Sequence, residues 1–372
     1  MDMRFTKIAG LVKQGSGALL PAFLLAGCAT TAVAPKAYLP ATDVPALAET
    51  QPVGTANADA ADDPAIWRNG ANPAASLIVG TDKKAGLYVY GLDGKVRDFV
   101  AAGRLNNVDL REVALADGSR RVLVAASDRT DEAEPKIALF WLDTATGKLA
   151  TIATVPFLRA GHRPLEAYGF CMGAPLASDE LARAYVVMKD GSVIESALAS
   201  EGSGLRAREA REVKVATQAE GCVVDDATHT LYLAEEDVGI WRVPLADAAL
   251  AAVPFAKVGA ADGLVDDVEG LAVARGTDGG ADGKAWLVAS SQGDNAYALF
   301  ALPEGRFAGR FRINGGAIDG TSDTDGIEVA LGDFGPQFPG GLFIAQDGDN
   351  APEAQNFKLL SWDSIRTALG LD

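Results

Sequence analysis

Acidic and amide residues recur at matching places along this chain. Asp62-Asp63, Asn106-Asn107-Val108-Asp109, Glu166-Ala167-Tyr168, Glu220, Asp267-Val268-Glu269 and the stretch from Asp319 to Asp325 each stand ahead of an apolar run. Asp82-Lys83-Lys84, Asp128-Arg129, Lys189-Asp190, Glu235-Glu236-Asp237, Gln292-Gly293-Asp294-Asn295 and Gln346-Asp347-Gly348-Asp349 each close the next one. Hard oxygens without His or Cys select Ca²⁺, which takes roughly 6–8 of them at about 2.3–2.6 Å. Carboxylates crowded into one place cannot all stay ionised without cations between them. Lys83, Lys84, Arg129 and Lys189 alongside would hold an anion, most naturally a phosphoryl group. Metal-binding oxygens beside a basic sector describe phosphoryl transfer, with ions polarising the phosphate and delivering a water. A single Asp in such a list can be a solvated turn residue. The shared register of all of them is harder to explain that way.

The elements that must position these residues are strands. Apolar runs come in six pairs: Leu77–Val79 with Leu87–Tyr90, Val122–Val124 with Ile137–Trp141, and Ala184–Val187 with Ser192–Ile194, then Leu231–Leu233 with Gly239–Trp241, Trp286–Val288 with Tyr297–Phe300, and Leu342–Ile344 with Phe357–Leu360. Each pair has a further apolar strand upstream, such as Ala65-Ile66-Trp67, Cys222-Val223-Val224 or Leu271-Ala272-Val273. Turn signals such as Leu92-Asp93-Gly94 and Lys189-Asp190-Gly191 fall where hairpins need them. A period of roughly 45–57 residues suits one four-stranded blade per repeat. The expected fold is all-β, a six-bladed β-propeller; a β-sandwich would explain six matched repeats poorly. In a propeller, the start of each inner strand and the end of its antiparallel neighbour lie at one end. Both polar sets should therefore converge on one mouth of the central channel.

Composition narrows the classes further. Among 372 residues there are 41 Gly, 3 Cys and 2 His, with a formal net charge of −17. Two histidines cannot build a three-His zinc site, and an acidic chain repels the phosphate backbone of nucleic acid, which argues against that class of partner. Arg4, Lys7 and Lys13 precede an uncharged, mostly apolar run from Gly15 to Ala26, too short to span a bilayer of about 30 Å. Leu25-Ala26-Gly27-Cys28 resembles the bacterial lipobox. Residues 1–27 thus read as a lipoprotein signal peptide, with Cys28 lipidated and Ala29 favouring outer-membrane sorting. Cleavage removes Asp2 with the three basic residues, leaving a charge near −19. Residues 28–57, rich in Ala, Pro and Thr, read as a tether whose end can enter the propeller, and 58–372 as the catalytic domain. Excluding Cys28, only Cys171 and Cys222 remain. An oxidising compartment permits a bridge between them, and the sequence leaves their proximity open.

The motifs together resemble the β-propeller phytase family. They are Asp62-Asp63-Pro64-Ala65-Ile66-Trp67, Gly80-Thr81-Asp82-Lys83-Lys84-Ala85-Gly86-Leu87, Asn106-Asn107-Val108-Asp109, Tyr168-Gly169-Phe170 and Glu220-Gly221-Cys222. The match continues through Ala234 to Trp241, Asp267-Val268-Glu269-Gly270-Leu271, Ser290-Ser291-Gln292-Gly293 and Asp319 to Gly326. The resemblance implies a calcium-dependent phosphomonoesterase acting on myo-inositol hexakisphosphate or its calcium complex. Lys83, Arg129, Tyr168 and Lys189 would grip the phosphate being cleaved, Lys84 would bind a neighbouring phosphate, and Asp190 would line the substrate site. Asp62, Glu220, Glu236, Asp267, Glu269, Gln292 and Asp325 would hold catalytic calcium ions. Asn106, Asn107, Asp109 and Asp319 would belong to tighter structural calcium sites. A calcium-bridged water would attack phosphorus in line, without a covalent intermediate. A monomer is expected. One departure is the acidic run Asp131-Glu132-Ala133-Glu134 just after Arg129, which would weaken binding of a highly charged substrate or add a calcium.

Several motifs are decoys. Ala160-Gly161-His162-Arg163-Pro164 has the wrong residue order for a histidine acid phosphatase. Asp323 to Glu328 fails the EF-hand spacing. His229 lies in a turn signal, and the Trp and Phe residues mostly occupy strand positions that suit blade cores. The rival functions are a calcium-dependent lactonase or arylesterase, which needs few basic residues, and a non-catalytic envelope scaffold.

Overall fold

The runs Leu77–Asp82, Glu180–Met188, Ala285–Ser291 and Gly341–Asp347 are buried along their whole length. A strand achieves that only where both faces of its sheet are covered, as when blades stack around an axis. The computed structural model describes residues 39–158, 165–202, 204–276 and 284–371. The signal peptide, Cys28, much of the tether and His162 lie outside these described residues.

Two short strands come first, β1 (Thr42–Val44) and β2 (Ala48–Glu49). Six blades follow, five of them with four strands of their own and the sixth with three. The first is β3 (Ala61–Trp67), β4 (Leu77–Asp82), β5 (Gly86–Gly91) and β6 (Val96–Ala101). The second is β7 (Leu105–Ala114), β8 (Arg120–Asp128), β9 (Lys136–Asp143) and β10 (Lys148–Pro156). The third is β11 (Ala167–Gly173), β12 (Glu180–Met188), β13 (Ser192–Glu201) and β14 (Gly204–Lys214). The fourth is β15 (Ala219–Asp225), β16 (Thr230–Glu235), β17 (Gly239–Pro244) and β18 (Val253–Lys257). The fifth is β19 (Val268–Arg275), β20 (Ala285–Ser291), β21 (Ala296–Ala301) and β22 (Arg306–Ile313). The sixth has only β23 (Ile327–Leu331), β24 (Gly341–Asp347) and β25 (Asn356–Ser361) of its own, before helix α1 (Trp362–Leu369).

The sixth blade takes its outer strand from β2, which pairs antiparallel with β25. β1 pairs parallel with β22 at the edge of the fifth blade. The segment just before residue 58 is therefore built into the sheets as a clasp that joins the N-terminal end to the last blade. The six-bladed β-propeller is the observed fold. Inner strands β3, β7, β11, β15, β19 and β23 ring the axis, each against the next. Apolar clusters fill the blade-to-blade interfaces; Trp286 and Trp362, for example, pack between blades five and six. Aromatic residues serve these cores, as the sequence suggests, and His229 is an exposed turn residue with a φ of 50°.

Cys171 on β11 and Cys222 on β15 are disulfide-bonded, with Cα atoms 5.7 Å apart. The bridge ties the inner strands of blades three and four. Its separation of 51 residues corresponds to about 4 kcal/mol in the chain-entropy account of disulfides.

Candidate active site

The residues at the channel mouth owe their direction to a repeated irregularity. In the first five blades the pairing of inner strand with neighbour slips at the start of the inner strand. The slips fall between Ala61 and Pro64, Leu105 and Val108, Ala167 and Gly169, Ala219 and Cys222, and Val268 and Leu271. A bulge breaks the alternation of side chains and re-aims them. Asp62, Asn106, Asn107, Tyr168, Glu220 and Glu269 all lie inside these slips. The residue that closes each second strand binds back across the bulge. The N–H groups of Lys83, Arg129, Lys189, Glu236 and Gln292 donate to the carbonyls of Ala60, Arg104, Glu166, Gln218 and Asp267 at 2.7–3.2 Å. Both polar sets are thereby anchored at one end of the channel.

Glycines close the spacing between blades. Tyr168, Glu220, Glu269 and Asp325 are each followed by glycine. A Cβ on Gly169 or Gly221 would overlap the carbonyl oxygen of Glu220 or Glu269, the site residue of the next blade. A Cβ on Gly270 would lie 2.6 Å from Asp325 O, and one on Gly326 2.5 Å from Asp62 O. Gly270 and Gly326 also donate their N–H groups to those carbonyls, at 2.7 and 3.0 Å. The first two blades complete the ring through side chains. Asp63 Oδ2 accepts the Val108 N–H at 3.0 Å. The Asn107 amide nitrogen faces and donates to Tyr168 O at 3.1 Å and Glu220 Oε1 at 2.9 Å.

Lys83 sits among Asp59, Asp62 and Asp325, with Nζ 2.8, 2.9 and 2.8 Å from their carboxylates. Burial works against its charge, but Asp62 and Asp325 more than offset this and hold its pKa above the usual lysine range. Gln292 Nε2 donates to the other oxygen of Asp325 at 2.7 Å. Beside them, Glu220, Glu236 and Glu269 bring carboxylate oxygens within 4.8 Å of one another. Asn106 donates to Glu220, and Gln218 Nε2 bridges both Glu236 oxygens at 2.8 and 2.9 Å.

The basic sector adjoins this acid cluster. Arg129 NH1 is 2.7 Å from Glu166 Oε1, and Lys189 Nζ is 3.5 Å from Glu166 Oε2. Both cations approach the Tyr168 ring, Lys189 at 4.8 Å and Arg129 at 5.7 Å from its centroid. Burial, then the charges of Glu220 and Glu269, push the pKa of the Tyr168 phenol up, so it stays protonated and able to donate. In the acidic run after Arg129, Glu132 pairs with Arg104 at 3.0 Å on the surface.

A family model described as Phytase matches residues 16–372. A 3-phytase of Bacillus subtilis (strain 168) is 38% identical over 334 residues, which cover 88% of this chain and 85% of the relative. The chain belongs to the phytase family. A chain from the crystal structure of the mitotic checkpoint complex aligns over 97% of this one and 86% of its own length. Its TM-score of 0.46 and 10% identity carry nothing about function.

The residues of this phytase fit the calcium that the family resemblance implies. The donors are carboxylate and amide oxygens. Asp62 Oδ1, Asn106 Oδ1 and Glu269 Oε2 are buried there without a hydrogen-bond partner, the condition of ligand atoms awaiting a cation. Burial first, then neighbouring carboxylates, push Glu220 and Glu269 well above the usual range. Asp325 is pushed up to about 7 by burial and Asp62, against the pull of Lys83. An unfolded chain releases these protons near pH 4, whereas the folded, metal-free chain keeps them to higher pH. The native state binds more protons across that window, so its stability falls as pH rises through it. The metal-free protein should therefore melt at lower temperature at about pH 8 than at about pH 5, and saturating calcium should recover most at the higher pH. A metal-free Tm that rises across that window would contradict the clustering.

Other residues of the expected set stand apart. Asp109 lies past its bulge and down the channel. Both its oxygens are taken, Oδ1 by Leu110 N–H at 2.6 Å and Arg111 at 2.8 Å, Oδ2 by Met172 N–H at 2.8 Å. Asp319 faces Lys358 at 2.6 Å. Lys84 is exposed, and Asp190 is held by Lys214 Nζ and the Ser192 N–H at 2.5 and 3.1 Å. Asp267, by contrast, stays within reach of the cluster: it is half-buried, and its charge raises Glu236 after the larger effect of burial. Glu235 turns inward to Thr217 and Trp241, with contacts of 2.6 and 2.8 Å. Residues to which sequence reasoning gave no role include Asp59, Gln218, Glu166 and Gln346, whose Oε1 accepts the Asp325 N–H at 2.8 Å. Glu166 and Gln346 share the register of the expected set, and that was the available signal.

Proposed function

We propose that this chain hydrolyses phytate, myo-inositol hexakisphosphate, to phosphate and lower inositol phosphates with the help of several calcium ions. The observation that carries this reading is the division of one mouth between the Glu220, Glu236 and Glu269 cluster and the Lys83, Arg129 and Lys189 sector. Asp62, Glu220, Glu236, Asp267, Glu269, Gln292 and Asp325 would hold the ions. Bound calcium would neutralise phosphoryl charge and lower the pKa of the attacking water.

The chain's own groups do the rest. Lys83 supplies a fixed positive charge held by the carboxylates of Asp59, Asp62 and Asp325. Arg129 and Lys189, steadied by Glu166 and the Tyr168 ring, offer donors to phosphoryl oxygens. Tyr168 adds a neutral O–H donor. Among the described residues no His or free Cys stands at this mouth to carry a phosphoryl group, which favours direct attack by water. The basic sector also separates this reading from a lactonase, whose neutral substrate has no use for three cations.

The full chain should release phosphate from phytate with calcium, stop when calcium is chelated, and recover on its return. Release that is indifferent to calcium, or none from folded, calcium-loaded protein, would overturn the proposal.

A further inference from the structure

The basic sector holds a carboxylate that phosphate binding by itself does not call for. Glu166 stands immediately before β11, and its side chain is only 14% exposed. Its Oε1 accepts from Arg129 NH1 at 2.7 Å, and its Oε2 lies 3.5 Å from Lys189 Nζ. Its carbonyl also accepts the Lys189 N–H at 3.1 Å. Glu166 thus joins the two cations that approach the Tyr168 ring from blades two and three. A negative charge in a site for anions opposes the ligand, so it needs a task of its own.

The placement acts in two ways. The first is directional. A guanidinium is a planar fork whose edges can each take two oxygens side by side. Glu166 occupies NH1, and that is the one hydrogen bond the Arg129 side chain makes among the described residues. The Arg129 Nε is without a partner. The Nε–NH2 edge is therefore left for a ligand, while the Glu166 contact stops the fork from turning. The second effect is electrostatic. Arg129 and Lys189 bring two positive charges, and Glu166 offsets one of them at close range in a site poor in water. A sector that grips phosphate equally before and after cleavage gains nothing in turnover from the extra grip. Offsetting part of the charge weakens the hold on the product.

We propose that Glu166 is a positioning residue: it commits NH1 of Arg129, leaves the Nε–NH2 edge to the phosphoryl group, and limits how tightly this sector holds the phosphate set free. The inference rests on the phosphate-binding reading of the basic sector and adds to it a residue that touches the cations, not the substrate.

The test reads phosphate binding as well as turnover, on the full, calcium-loaded chain. In equilibrium dialysis with dilute inorganic phosphate, Glu166→Gln should bind about tenfold more tightly than the wild type. Its amide keeps an oxygen for NH1 but loses the charge. Glu166→Ala loses the anchor as well and should lower kcat for phytate by up to about 10²-fold, the scale of a misplaced catalytic group. Glu166→Gln should lose less. A merely structural residue would lower Tm and kcat together in both variants without tightening phosphate, and that result would overturn the proposal. A phosphate affinity in Glu166→Gln no higher than in the wild type would do the same, even with phytate hydrolysed. Tighter phosphate in Glu166→Gln beside a wild type that leaves phytate intact would sink the activity and support the role of Glu166. A wild type that binds no phosphate would overturn both. Should Glu166→Ala not fold, phosphate binding by Glu166→Gln decides alone.

Discussion

Lys83→Ala should lower kcat for phytate by about 10²–10³-fold at saturating calcium, the range seen when one preorganised electrostatic donor is removed from an active site. The loss follows from where the ammonium sits. It is 2.8–2.9 Å from Asp59, Asp62 and Asp325, and Asp62 is only 1% exposed. Taking it away removes a charge from the phosphoryl site and leaves a buried carboxylate without its partner, which is strongly destabilising. Calcium should therefore become more important to the fold of the variant than to the wild type. Steady-state rates and calcium-dependent melting on the same preparation would show both effects. Wild-type kcat in folded Lys83→Ala would remove Lys83 from the reaction.

The second large effect should come from a residue with no chemistry at all. Gly221→Ala adds one methyl group, which would overlap Glu269 O and lie 2.7 Å from Glu269 C and 3.1 Å from Gly270 Cα. Every one of those atoms is backbone, so no side chain can swing aside. Overpacking a well-packed interior usually costs about 1–3 kcal/mol, occasionally more, and here the displaced strand carries Glu269. Gly221→Ala should lose at least about 3 kcal/mol in urea unfolding and most of its affinity for calcium. Gly204→Ala is the control, since its nearest neighbour would be Glu201 O at 3.8 Å, and it should unfold like the wild type. Equal stability of Gly221→Ala and Gly204→Ala would show that blades four and five tolerate wider spacing than their backbone contacts suggest.

The sequence shows the blades clearly because each second and third strand is an apolar run bounded by turns. It shows little of the clasp. β1 and β2 are three and two residues long, lie beside Pro40, Pro45 and Pro52, and join sheet edges where no alternation is required. The candidate site is legible as a list of residue types in register, but its membership is decided by the bulges. Asp62 and Asp109 both precede regular strand in the sequence. Asp62 lies within a slip and turns to the mouth, while Asp109 pairs regularly opposite Ala125 and points down the channel. Lys358, the partner of Asp319, was hidden for another reason. A lysine inside an apolar strand carries no sign of the Glu49, Asp319 and Asp347 side chains that meet it from distant parts of the chain.

The glycines between the blades bear on how this enzyme can change. The diameter of the mouth is set by main-chain contacts such as Gly221 against Glu269 O and Gly270 against Asp325 O, not by the acids that project from it. Frame and chemistry are thus separately inherited. A substitution at Glu220, Glu236 or Tyr168 alters what the mouth can bind without resizing it, whereas a substitution at a glycine resizes it whatever the acids are. Such a scaffold lets its specificity drift one side chain at a time while the opening that presents those side chains stays fixed.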